Sequence, residues 1–136
     1  GYAVAAPDRL QRWAAWRDPW PVNGPAAALG ERLLADPVAV ARWQARVQRW
    51  VRQEGAWLTA QLAELPGLRV LPSATNFLLV RVADAAQTFE RVLARKVLIK
   101  NVSKMHALLA NCLRVTVSTP EENAQFLEAF RASLQD

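Results

Sequence analysis

The sequence predicts an α/β fold in which helices pack on a small sheet. Three observations carry this: a long amphipathic helical stretch over residues 38–64, an alternation of short strands and helices from residue 68 onward, and two capping sequences, at Asp84 and Thr119, that open helices directly after strands. A chain of 136 residues, 52% hydrophobic and 21% charged, is long and apolar enough to bury a core.

Residues 2–6 read as a short apolar strand broken by Pro7-Asp8. A lone edge strand needs a neighbouring sheet, so the chain is expected to be cut from a longer protein. Residues 7–17 suit a short helix with Leu10, Trp13 and Ala14 on one side. Pro19, Pro21 and Pro25 forbid regular structure in the next stretch. Residues 26–35 form a helix of small side chains, with Asn23 or Gly24 near its start.

The long helix places Val40, Trp43, Val47, Trp50, Trp57, Leu58 and Leu62 at helical spacing, with Arg42, Arg46, Arg49 and Gln53 opposite. At ~1.5 Å per residue it spans ~40 Å, longer than a small domain is wide, so it is expected to bridge two lobes or lie across a partner. Pro66-Gly67 ends it. Strands are expected at 68–71, 76–82, 97–100 and 112–118. Asp84 opens a helix through Phe89, Val92 and Leu93. Thr119-Pro120-Glu121-Glu122 supplies a cap, a first-turn proline and two acids for the final helix, which buries Phe126, Leu127, Phe130 and Leu134.

Composition narrows the function classes. No apolar run reaches the roughly 18 residues of a membrane helix, and residues 1–6 lack a signal peptide's basic and apolar regions. One cysteine, Cys112, leaves no internal disulfide and fits a reducing compartment, so a cytoplasmic location is expected. The net charge of +5 comes from basic residues spread between Arg9 and Arg131 without a run of like charges, a pattern that argues against nucleic acid as partner.

Arg114 is the first candidate for chemistry. On its strand, Leu113, Val115 and Val117 face one way, and Arg114 and Thr116 the other. A guanidinium held there can grip a carboxylate or phosphate at two points. A solvated arginine, or one paired with a helix glutamate, fits the same alternation. Lys100 ends the preceding strand and can add a second positive charge, or simply sit in water. The single histidine, His106, lies in a loop without an acidic neighbour, which supports neither a catalytic dyad nor a metal site. Cys112 reads as a small core residue. Trp43, Trp50 and Trp57, seven apart, fit a core or interface stripe better than a stacking platform.

The stretches PSATNFLLVR at 72–81, VLIKN at 97–101 and CLRVTVSTPEEN at 112–123 together resemble the histidinol-phosphate aminotransferases. VLIKN at 97–101 and CLRVTVSTPEEN at 112–123 are similar to that family's C-terminal signature, in which a "VL(I/V)(R/K)(D/N)" strand and a loop precede "CLR(I/V)TVGTPEEN". PSATNFLLVR at 72–81 is similar to its "PSxANFxLVR" strand. Gly1-Tyr2-Ala3 resembles the strand that follows the segment carrying the cofactor lysine, and Val22-Asn23 its "VN" before a helix. Ser118 departs from a usual glycine and Lys100 from a frequent arginine. DPWPVNGPA at 18–26 looks more like threonine-phosphate decarboxylase, a relative in cobalamin synthesis with the same fold and cofactor.

The resemblance implies the aspartate-aminotransferase fold (pyridoxal-phosphate, PLP, fold type I). Residues 1–36 are then a tail of the PLP-binding large domain, 37–64 a connecting helix and 65–136 the small C-terminal α/β domain. It implies a homodimer whose active sites draw on both subunits. The activity implied is amino transfer between histidinol phosphate and 2-oxoglutarate, or imidazole acetol phosphate and glutamate. Arg114 then holds the substrate's anionic group and Lys100 its phosphate. The Schiff-base lysine, in a Ser-x-x-Lys segment, falls before Gly1, so this chain is expected to contain no catalytic residue, to hold no PLP by itself and to be inactive alone. Besides the decarboxylase, a non-catalytic module binding an acidic partner through Arg42, Arg46 and Arg49 is the remaining alternative.

Overall fold

A computed structural model describes residues 3–135. The chain divides into two compact units, residues 1–43 and 44–136, and helix α3 begins in the first and continues in the second.

The first unit is helical among its described residues. Helix α1, Pro7–Ala14, opens with proline in its first turn, and α2, Gly24–Leu34, is capped by Asn23, whose Oδ1 accepts the Ala26 N–H at 2.9 Å. The strand expected at 2–6 is not formed in residues 3–6, and Tyr2 lies outside the described residues. A strand needs an edge to pair with, and the described part of this unit offers only helices. Leu10, Trp13 and Ala14, expected on one side of α1, line a shallow hollow of about 740 Å³ with Ala3, Arg17, Pro21 and Val22.

Helix α3, Pro37–Ala63, starts where the Asp36 carboxylate accepts the Val38 and Ala39 N–H groups, both at 3.0 Å. It ends at Ala63, ahead of Pro66, and Gly67, at a φ of +75°, then makes the left-handed turn that glycine adopts without strain. Of the expected stripe, Leu58 and Leu62 are fully buried, whereas Trp43 is 57% and Trp57 42% exposed. Trp57 is one residue from Leu58, so it is turned about 100° around the helix. It lines a groove with Leu127 and Arg131 instead of entering the core. Trp43→Gln is accordingly expected to change stability by no more than about 0.5 kcal/mol in urea denaturation, and a larger loss would restore Trp43 to the packed stripe.

The second unit carries a four-stranded antiparallel sheet in the order β1-β2-β4-β3. The strands are β1 (Arg69–Leu71), β2 (Phe77–Arg81), β3 (Lys100–Asn101) and β4 (Cys112–Thr116). All four are shorter than expected, and the third is also displaced. Val97 is spent closing helix α4 (Ala85–Ala94), its N–H bonding to the Val92 carbonyl at 3.3 Å, with Lys96 in a left-handed turn at φ 63°. Only Lys100 and Asn101 then pair with β4. Beyond Thr116, the Val117 N–H reaches the Asn76 carbonyl at 2.8 Å and extends the ladder by one bond.

Both helix starts expected after strands are present. Asp84 caps α4 by accepting the Ala86 and Gln87 N–H groups, both at 2.9 Å. Thr119 caps α5 (Pro120–Ser133), its Oγ1 accepting the Glu122 N–H at 3.3 Å. One sheet face is buried: Leu78, Val80, Leu113, Val115 and Val117 pack with Leu58 and Leu62 of α3, Val92 of α4, and Phe126, Leu127 and Phe130 of α5. Burying that apolar area drives the unit's folding at about 25 cal/mol per Å². Leu134, expected in the core, is partly buried against it. Among the described residues no helix is long and apolar enough to cross a membrane.

Candidate functional site

Because all three helices cover one face of the sheet, strand alternation turns the other residues to the opposite face. Directly opposed residues share a face, so the register defines its rows. One row is Arg69, Arg81 and Cys112; the next is Leu71, Leu79, Arg114 and Lys100; the last is Phe77 and Thr116.

The loop over residues 102–111 closes one end of this face. Its Ala107–Leu109 turn is capped by His106, whose Nδ1 accepts the Leu108 N–H at 3.2 Å. Arg81 donates from Nη2 to the Leu108 carbonyl at 2.8 Å, and Ser103 Oγ donates to the Cys112 carbonyl at 3.4 Å. Val102 and Cys112 are buried beneath. His106 and Arg81 thus hold a loop, and Cys112, with its thiol near the Ala110 carbonyl at 3.7 Å, is packed in the interior.

What stays open is the row that contains both candidate residues. Lys100 stands directly opposite Arg114 across the β3–β4 pair. Like charges in opposed positions repel, and among the described residues no carboxylate lies within ion-pairing distance of either. Arg114 is half-buried and Lys100 exposed. The Arg114 guanidinium carbon lies over the Phe77 ring, 4.3 Å from its centre, where the ring's negative face attracts the cation. The arrangement is a half-buried guanidinium fork beside an exposed point charge, chemically suited to an oxyanion of two negative charges.

Sequence reasoning singled out Arg114 and Lys100 separately; their opposition is a product of register. It passed over Phe77 and Arg81, although the alternation of FLLVR places both on the Arg114 face. It also left Asn123 as one letter of a motif. In the structure Asn123 is 1% exposed, accepts the Ser118 N–H at 2.9 Å, and donates to the Ser118 carbonyl at 3.0 Å and Glu54 Oε2 at 2.9 Å. It ties the end of β4 to α3. Ser118, the departure from that usual glycine, donates its hydroxyl to the Glu122 carboxylate and has no left-handed backbone that would require glycine.

Arg42, Arg46 and Arg49 are all exposed on α3, as a solvated helix face would be. The described residues contain no group of His, Cys, Asp or Glu able to hold a metal. They also do not fit an imine-bound cofactor. Lys96, Lys100 and Lys104 are exposed, whereas an imine-forming lysine needs an amine whose charge is suppressed by burial or a neighbouring cation in an enclosed pocket. Among the described residues, this face presents the two cations Arg114 and Lys100 and no buried lysine.

No family model matches the sequence. Over all 136 residues the chain is 57% identical to histidinol-phosphate aminotransferase 2 of Cupriavidus pinatubonensis and 54% identical to histidinol-phosphate aminotransferase 1 of Ralstonia nicotianae. It spans only about a third of those relatives' length, 36% and 35%. The solved L-threonine-O-3-phosphate decarboxylase of Porphyromonas gingivalis superposes with a TM-score of 0.84 at 29% identity, over 98% of this chain and 41% of that one. The histidinol-phosphate aminotransferase of Clostridium acetobutylicum superposes with a TM-score of 0.82 at 18% identity, over 95% of this chain and 39% of its own, which adds support for the fold. Helices on one face of a small antiparallel sheet, this superposition, and identity sustained along the whole chain together place it in the histidinol-phosphate aminotransferase family, as the counterpart of the C-terminal part of those PLP fold type I proteins.

Proposed function

We propose that the protein containing this chain transfers an amino group between histidinol phosphate and 2-oxoglutarate, and in reverse between glutamate and imidazole acetol phosphate, and that Arg114 and Lys100 clamp the substrate's anionic group. The supporting observation is the cross-strand opposition of Lys100 and Arg114 on a face where no carboxylate among the described residues neutralises them. In this reading residues 65–136 form the small domain, 37–64 the connecting helix and 1–36 a tail of the large domain. PLP, the lysine that bonds it and the partner subunit's share of the site come from outside these 136 residues. The setting is a cytoplasmic homodimer.

The likeness to threonine-phosphate decarboxylase, together with the 18–26 segment, favours a second reading in which the substrate is threonine phosphate. Both substrates carry a phosphate for the same clamp, so the fold does not separate them. The test is turnover by the complete protein with each substrate. Glutamate formation from histidinol phosphate and 2-oxoglutarate supports the first reading, and carbon dioxide release from threonine phosphate replaces it with the second. The isolated 136-residue chain is expected to catalyse neither.

A further inference from the structure

We infer that Phe77 is a positioning residue for Arg114: its ring holds the guanidinium flat across the outer sheet face, so that the donor edges are presented to an anion beside Lys100. The inference rests on the anion-clamp reading above and extends it to a side chain with no charge of its own.

Register supplies the geometry. Phe77 pairs with Thr116 and Arg114 with Leu79, so Phe77 is the diagonal neighbour of Arg114 on the same face. Diagonal positions are about 7–8 Å apart at the backbone, close enough for an aromatic ring and a long side chain to meet. They do meet, with the guanidinium carbon 4.3 Å from the ring centre. The backbone that carries the ring is fixed. The Asn76 carbonyl is bonded to the Val117 N–H at 2.8 Å, and the Phe77 N–H to the Thr75 hydroxyl at 3.2 Å. On the other side of the Arg114 row, Arg81 is occupied with the Leu108 carbonyl under the loop and does not crowd Arg114.

A free arginine side chain on an open face would lose much rotamer entropy on gripping an anion, and Lys100 opposite would push it away. Stacking on an aromatic ring offsets both. The ring face attracts the cation, and a guanidinium held against it has fewer orientations to lose when it grips an anion. A leucine at position 77 would preserve the apolar contact and lose the ring's attraction, whereas tyrosine would preserve both.

The experiment uses the 136-residue chain with 15N-labelled arginine, followed by NMR during titration with inorganic phosphate. In the unmodified chain the Arg114 Nε–H signal, assigned by its disappearance in Arg114→Lys, is expected to be displaced by the ring current and to move on phosphate binding. Phe77→Leu is expected to abolish the displacement and to raise the phosphate Kd about two- to fivefold, the scale of an exposed cation–π contact. Phe77→Tyr is expected to restore both, which a merely structural role of the ring would not predict for the displacement. Backbone amide spectra verify that each variant remains folded. An Arg114 signal without ring-current displacement in the unmodified chain overturns the inference, whichever variant folds. So does phosphate binding in Phe77→Leu as tight as in the unmodified chain. Phosphate that does not perturb Arg114 at all in the unmodified chain overturns the anion-clamp reading itself, and this inference with it.

Discussion

Replacing Arg114 by alanine in the complete protein is expected to lower kcat/KM by at least about tenfold, because a charge-assisted two-point contact to an anion is worth about 1.5–3 kcal/mol and ~1.4 kcal/mol is a factor of ten. Arg114→Lys is expected to recover only part of the loss. Lysine restores the charge but not the fork, and it lacks the planar group that stacks on Phe77. Lys100→Ala is expected to weaken the phosphorylated substrate and to spare the glutamate half-reaction, since the clamp reading gives Lys100 only the phosphate. Stability is expected to change little in each variant, because both side chains lie on the face opposite the core and neither is ion-paired among the described residues. Steady-state kinetics with thermal melts on the same preparations separates the two effects. An Arg114→Ala protein with full activity, or one that unfolds, would return the residue to a structural role.

The largest stability effect outside the apolar core is expected at Asn123. Its side chain makes three hydrogen bonds at 1% exposure, one of them to a carboxylate that anchors α3 to the β4–α5 turn. Asn123→Ala leaves the Ser118 N–H and carbonyl and the Glu54 carboxylate without their partner in a half-buried setting. With about 1 kcal/mol for each neutral bond and about 1.5–3 for the charged one, incompletely additive, the expected cost is about 2–4 kcal/mol. Asn123→Asp is expected to be at least as damaging, since it sets a second carboxylate against Glu54. Glu54→Gln keeps an acceptor for the Asn123 amide and is expected to cost less than half as much. Urea denaturation followed by far-UV circular dichroism measures all three. An Asn123→Ala variant within about 0.5 kcal/mol of the unmodified chain would show that water replaces these bonds without loss.

Much of the fold was legible because its signals are local. Asn23, Asp84 and Thr119 cap helices where the sequence puts a short polar side chain ahead of an apolar periodic stretch. Pro66-Gly67 marks the turn that follows the end of α3, with Gly67 in a left-handed backbone. Alternation along CLRVT fixed which side of β4 is core, and hence that Arg114 points away from it. The errors lie where the determinant is a partner at long range. Residues 3–6 have strand composition and no edge to pair with. Residues 97–99 have it too, but Val97 is drawn back to the end of α4. Trp57 shares the period of the helix stripe and still misses the core, because the sheet meets α3 along the Leu58–Leu62 side.

The candidate site divides in the same way. From sequence alone come two separate cations at strand positions, Arg114 on the non-core side and Lys100 at a strand end, and the family resemblance that attaches an anion to them. Tertiary structure alone decides that the two stand opposite each other, that Phe77 lies under the guanidinium, that Arg81 is diverted to the loop, and that no carboxylate among the described residues neutralises the pair. The physical reason is register. Alternation assigns each side chain to a face from its own strand, but which residues of different strands become neighbours depends on how the antiparallel ladder closes across the 13 residues between Lys100 and Arg114 and the 36 between Phe77 and Arg114, a choice made by the burial of the opposite, apolar face.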